Sequence, residues 1–380
     1  MKKTLFILFF LLILTLFSQV IFANATQDTI TDSLNNEIQN FSNSLPNNVK
    51  EQLPNEALNG DYSALINGTF GEKEIFSILF SYLTAGINSV LKSFASILAL
   101  LVIIGLFNTV STSFFKSNLS STFSICSTLC VSITVFGICN ILVNNACEFI
   151  SVLCNTMRAF LPIMIGLLTI SGSASSAVVS NGSILLIINI VEGFIVTYLL
   201  PITKICLAFG CVKALSNSCD FSGVTKIIKS TFTSVTVFTM SILMFVLSYK
   251  STLSQGVDTL SLKTARFAIG SFVPLVGSSV NDALRTVSSS LSLVKSTYGT
   301  IAIIAIALIM LPIIINLFLH KLSFSILTTI SKAMNGGGEG AILEEADTIC
   351  GFMLTMVCCT SVLFIFALTV FIKSGVSLQI

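Results

Sequence analysis

Apolar and polar positions divide this chain into two parts: mixed from Thr26 to about Asn88, then strongly apolar runs separated by short polar connections. The runs fall near Phe94 to Thr112, Thr122 to Val143, Ser183 to Leu200, Thr231 to Tyr249, Tyr298 to Leu319 and Ile349 to Ile372. Each approaches the roughly 20 residues that a helix needs to cross a bilayer. The pattern predicts an all-α polytopic membrane protein of about six transmembrane helices. Before the first run, Leu45-Pro46 and Leu53-Pro54 break the chain into short pieces, because the residue before proline is pushed out of the helical region. From Glu72 onward Ile75, Phe76, Leu79, Phe80 and Leu83 recur at helical spacing, which predicts an amphipathic stripe on the membrane surface or against a partner.

The pattern also repeats. Phe160-Leu161-Pro162 and Phe272-Val273-Pro274 each lead through a Gly/Ser/Ala-rich connection into an apolar run ending at Leu200-Pro201-Ile202 or Leu311-Pro312-Ile313. The offset is 112 residues at the first proline and 111 at the second. This predicts an internal duplication of a two-span unit, with copies at about 116–212 and 229–323. Pro162, Pro201, Pro274 and Pro312 are then architectural, placed where helices end or kink.

Residues 145–170 resist assignment as a span. Glu148, Asn155 and Arg158 precede their apolar end and Pro162 interrupts it; the matching stretch, 255–282, carries Asp258, Lys263, Arg266 and Asp282. Both read as an amphipathic helix leading into a re-entrant or surface segment. With two true spans per unit, the copies run parallel rather than inverted.

Composition supports the membrane class. Hydrophobic residues make up 54% of the chain and charged ones 9%, against about 25% charged in soluble domains. Lys2-Lys3, the apolar region from Leu5 and Ala23-Asn24-Ala25 form a signal sequence over 1–25, cleaved or retained as an anchor. Either way 26–90 is an extracytoplasmic acidic segment and 91–380 the multipass domain. That segment and its border hold 8 of the 17 acidic residues. Starting outside, six spans place Lys204, Lys213, Lys226, Lys229, Lys321 and Lys332 in cytoplasmic connections, though Lys250, Lys263 and Arg266 fall outside.

The chemistry is sparse. Eleven cysteines without a C-x-x-C, and one histidine, form neither a zinc site nor a disulfide framework; cysteine here is a small packing residue. No nucleophile–base set or basic nucleic-acid surface is present, so neither an enzyme, a cofactor, a metal nor a nucleic-acid partner is expected. Asn335-Gly336-Gly337-Gly338-Glu339-Gly340 lacks the Lys-Ser/Thr of a phosphate loop; its glycines end one helix, and Glu344, Glu345 and Asp347 open the next. Glu192, beside Asn189 inside an apolar run, stands out, because a carboxylate at that depth needs a partner or water. With Asn316 these are the transport-path candidates; the competing reading is a carboxyl that merely packs the bundle. Arg158 and Arg266, ahead of the Phe-x-Pro motifs, are interface or anchor candidates, holding headgroups or pairing with Glu148 and Asp258.

Three stretches carry a family resemblance: Gly71-Glu72-Lys73 through Ser81-Tyr82-Leu83; Gly270-Ser271-Phe272-Val273-Pro274-Leu275-Val276-Gly277-Ser278 with Asp282-Ala283; and Glu345-Ala346-Asp347. With the signal sequence and paired units, the chain resembles the stage III sporulation protein AE family of endospore-forming bacteria over nearly its full length. That resemblance implies a mother-cell membrane subunit of a secretion-like channel complex around the forespore, needed for late forespore gene expression. Its partners would be membrane lipids and other subunits of that complex, and its role permease-like or scaffolding. No residue-level site comes with the family. The alternative is a stand-alone small-solute transporter.

Overall fold

A computed structural model describes residues 40–43, 45–50, 72–114, 117–170, 173–215, 222–272, 277–334 and 337–373. These are helical almost throughout, with no strand among them. A short α1 (Asn47–Lys50) precedes α2 (Glu72–Phe114), α3 (Ser117–Ile170), α4 (Ala174–Ile190), a π-helical segment (Val191–Val196), α5 (Thr197–Leu215), α6 (Ser222–Phe272), α7 (Gly277–Ala333) and α8 (Gly337–Lys373). Because α4, the π segment and α5 run on without a break, the described residues make six long helical passages. Each is long and apolar enough to cross a membrane.

Helix is what hydrocarbon permits, because every backbone N–H and C=O there must be paired within the segment. Many hydroxyls follow the same rule. Thr156, Thr203, Thr236, Thr328, Thr360 and Ser361 each donate to the carbonyl four residues back, at 2.6 to 2.9 Å. Such bonds satisfy Ser and Thr inside an apolar bundle without water. Between the helices lies a core rich in Phe, Met, Ile and Leu, including Phe160, Met164, Phe324, Met353, Phe364 and Phe371.

Side-chain contacts set the helices at common heights. Beside α8, α3 places Ser127 against Glu339 at one end and Phe160 against Phe371 at the other, so the two run parallel for about 50 Å. On α7, Lys321 meets Asp347 and Gly299 packs on Ile372, so α7 is antiparallel to α8. Lys229 near the start of α6 meets Glu345. Helices α3, α6 and α8 therefore begin at one end of the bundle. At the opposite end Phe41, from the segment expected outside, packs on Phe160 with ring centroids 5.3 Å apart and the rings tilted.

Several expectations change. Residues 145–170 belong to the uninterrupted α3 rather than to a re-entrant piece, and Ile150, Leu153, Met157 and Phe160 are core. Glu148 and Asn155 lie seven residues apart on one face while the other buries apolar residues, so an amphipathic pattern was continuous with the span before it. The stripe from Glu72 likewise runs straight into α2, with no helix end near residue 90. Pro162, Pro201 and Pro312 sit inside helices, where packed neighbours compensate the lost backbone bond. Pro274, the signal sequence and most of 26–71 lie outside the described residues. Helices α3, α6 and α7, of 54, 51 and 57 residues, are about 80 Å long against a hydrocarbon layer of about 30 Å, so they project well beyond it.

The glycines of 336–338 do not simply end a helix, for α8 begins at Gly337. Gly338 is needed by contact: a Cβ there would lie 2.6 Å from the Ala214 carbonyl oxygen and 2.6 Å from Thr128 Oγ1. A backbone carbonyl cannot retreat as a side chain can. Gly338→Ala is expected to destabilise the fold by about 1–3 kcal/mol, whereas Gly256→Ala, with open space at its Cβ, is neutral or stabilising by up to about 1 kcal/mol. Thermal unfolding in detergent distinguishes the two, and equal effects would refute the contact argument.

Candidate functional site

The start of α8 is an acidic strip clamped by basic residues from its neighbours. Glu345 accepts from Lys229 Nζ of α6 at 2.6 Å, with side chains only 7% and 14% exposed for the lysine and the glutamate. Asp347 receives Lys321 Nζ on both carboxylate oxygens at 2.9 Å, and Glu344 pairs with Lys332 at 2.9 Å. Glu339, buried, accepts from Ser127 Oγ of α3 at 2.5 Å. The methylenes of Glu345 lie where Gly210 has no Cβ, so α5 is drawn into the same cluster. One helix end thereby ties four others together.

At the far end a different carboxylate caps a helix. Ser173 precedes α4 but gives no side-chain cap. Asp258 of α6, 3% exposed, supplies it instead: its oxygens accept from the Ser175 and Ser176 N–H groups at 3.0 Å each and from Ser176 Oγ at 2.6 Å. The charge sits on the positive end of α4 and satisfies donors that a helix start leaves free.

Two residues before Phe160, Arg158 of α3 grips Glu192 in a two-pronged pair, Nη1 to Oε1 at 2.8 Å and Nη2 to Oε2 at 2.5 Å, and Nη1 also reaches Asn155 Oδ1 at 3.1 Å. Glu192 is the second residue of the π segment. A π turn frees a carbonyl from the regular ladder, and Thr197 Oγ1 donates to the Glu192 carbonyl at 3.3 Å. Pro201, just downstream, offers no N–H to the preceding turn.

The structure thus joins two residues that the sequence pattern kept apart, one as a path candidate and one as an anchor. Arg158 pairs with Glu192, not Glu148, and Asp258 is engaged by serines. Both ion-pair side chains are about one-third exposed, at 39% and 32%, on the outer face of the bundle. Asn189, one turn before Glu192, is exposed on that face. Asn316 belongs elsewhere: its amide oxygen is buried without a hydrogen-bond partner, and its backbone carbonyl accepts from His320 Nδ1 at 3.0 Å. The Arg266 side chain is outside the described residues. Among them, no His/Cys/Asp/Glu group is arranged to hold a metal, and no disulfide forms; Cys139, Cys154, Cys206 and Cys350 are buried packing residues. Missed in the sequence were the Lys229–Glu345 pair and the Asp258 cap. A signal for the first existed, since Lys229 and Glu345 both fall in connections assigned to the same side of the membrane.

Comparison with known proteins falls on one family. The family model described as stage III sporulation protein AE matches residues 62–375. The stage III sporulation protein AE of Bacillus subtilis (strain 168) is 24% identical over 357 residues, covering 93% of this chain and 87% of its own. No solved structure matches.

The clamp on α8 gives a direct test. Lys229→Met alone leaves Glu345 buried without its cation and is expected to cost about 3–5 kcal/mol, while adding Glu345→Leu recovers most of it. Unfolding of the single and double variants in detergent measures this; a double variant as unstable as the single would show that the pair is not the clamp.

Proposed function

The chain belongs to the stage III sporulation protein AE family, and from that premise we propose that it is a scaffolding membrane subunit of a sporulation-specific, secretion-like channel complex linking mother cell and forespore. In this reading it sits in the mother-cell membrane around the forespore, keeps residues 26–90 outside the cytoplasm, and is required for late forespore gene expression. Other subunits of the complex and membrane lipids are its partners.

One observation carries scaffold over permease: Arg158, Glu192 and Asn189 are all partly or fully exposed, whereas the interior is filled with apolar side chains. Ile301, Ala305, Ile309 and Met310 of α7 are buried among apolar neighbours. The buried hydroxyls of Thr236, Thr328 and Thr360 bond their own helices rather than line a wet path. Glu192 and Asn189 turn away from this core, so they support contact with something outside the chain better than a path through it. The same filling argues against a stand-alone solute transporter.

Two measurements test the two halves. Removing the chain from its sporulating host should abolish a late forespore reporter, with recovery on re-expression; an unaffected reporter overturns the sporulation role. Single cysteines at Ile301, Ala305 and Ile309 should resist a water-soluble maleimide in intact membranes by at least about tenfold relative to one at exposed Tyr249, a lower bound corresponding to about 1.4 kcal/mol of protection. Ready labelling along that face would restore the permease reading.

A further inference from the structure

The end of the bundle opposite the α8 clamp is covered by a piece of chain that is not one of its six passages. Within residues 40–50, Phe41 and Leu45 are buried at 5% and 3% exposure, while Asn40, Asn43 and Asn47 are exposed. That is the one-sided pattern of a segment lying on an apolar surface. The surface is aromatic: Phe41 packs on Phe160 of α3, with ring centroids 5.3 Å apart, and Phe160 meets Phe371 of α8 edge-on at 5.9 Å. Helix α1 itself lies against α7.

The two ends of α8 are therefore held by different chemistry. At its start, letting go would leave Lys229 or Glu345 buried without a counter-charge, a heavy cost. At the far end, polar groups of the segment bond within it: the Leu45 N–H donates to the Ser42 carbonyl at 3.2 Å, the Lys50 N–H to the Pro46 carbonyl at 3.1 Å, and Lys50 Nζ to the Asn43 carbonyl at 3.2 Å. These bonds travel with the segment. Lifting it gives up apolar contact but strands no ion pair. Leu45-Pro46 also keeps its short helical pieces from joining into one longer helix, and pieces of that length hold their shape through packing rather than alone.

We infer that residues 40–50 are a strap that opens and closes over the ends of α3, α7 and α8. Seated, it completes the core at Phe160; lifted, it uncovers Phe160 beside Phe371. Its opening belongs to the local, low-cost end of the range of motions within a folded chain. The inference rests on the scaffold reading, which puts residues 26–90 outside the cytoplasm, and gives that segment a task. Whatever engages the strap from outside acts on the far end of α8, while the clamp keeps the near end fixed.

The experiment uses the full chain in spheroplasts of an expressing host, with exposed Cys126 and Cys130 changed to Ser; residues 1–125 contain no native cysteine. Leu45→Cys, which leaves Phe41 in place, should react with a water-soluble maleimide at least about tenfold more slowly than Asn43→Cys and at least about tenfold faster than Ile309→Cys, each step corresponding to about 1.4 kcal/mol. Adding Phe41→Asp should bring Leu45→Cys to the Asn43→Cys rate, while Ile309→Cys in the same background stays protected, which guards against a misfolded variant. A rate for Leu45→Cys equal to that of Asn43→Cys means that nothing is seated, a rate equal to that of Ile309→Cys means a fixed part of the core, and either overturns the strap. The same ratios are read again in permeabilised membranes. Labelling of Asn43→Cys solely after permeabilisation would sink the sidedness in the scaffold reading, with the strap still judged by its ratios.

Discussion

Hydrocarbon offers no hydrogen bonds, and the rest of this structure depends on how each polar group at membrane depth is answered. Threonine and serine hydroxyls turn back onto carbonyls one turn earlier. At the π segment the carbonyl of Glu192 takes the Thr197 hydroxyl, so a local departure from α-geometry leaves little unsatisfied. The carboxylate itself is met by a guanidinium with matching fork geometry.

The charged contacts divide by height and by task. At the α8 start, lysines from α6 and α7 converge on one acidic strip, which fixes α8 laterally and lets its apolar length pack against α3 and α7. At the other end Asp258 holds the start of α4 against α6. The contacts link α6 to α8 at one end and to α4 at the other, and α6 carries both. One face of that helix is exposed, at Ile227, Phe238 and Phe245. Its other face packs Phe232, Met240, Leu243 and Leu247 into the core, and the polar tethers fix its two ends.

Much of the fold was legible because apolar length and helical spacing are local properties. Six passages and the packing role of the buried cysteines followed from the residues alone. Helix ends did not, because a span rule counts apolar residues and stops at Glu148 or Lys321, whereas the helix continues wherever one face still finds a core. Pairing was the harder part. Arg158 and Glu192 are 34 residues apart, and which carboxylate an arginine meets depends on how α3 crosses the π segment. Asp258 looked like a reason against burial until the free N–H groups of Ser175 and Ser176 were placed beside it, turning a buried charge into a cap.

The two proline-bounded stretches of the sequence differ nine residues before their second proline, where the first carries Glu192. At the matching position the second has isoleucine, within the run Ile301–Met310 of α7 that is buried nearly all round. A helix apolar on every side is one enclosed by others, and α7 lies between α2, α3 and α8. A carboxylate there would have neither lipid interface nor basic neighbour and would cost several kcal/mol. On the passage formed by α4 and α5, Glu192 is about one-third exposed and can hold a charge because Arg158 is across from it. The enclosed run of α7 and the partly exposed π segment thus impose opposite demands on the charge each can hold.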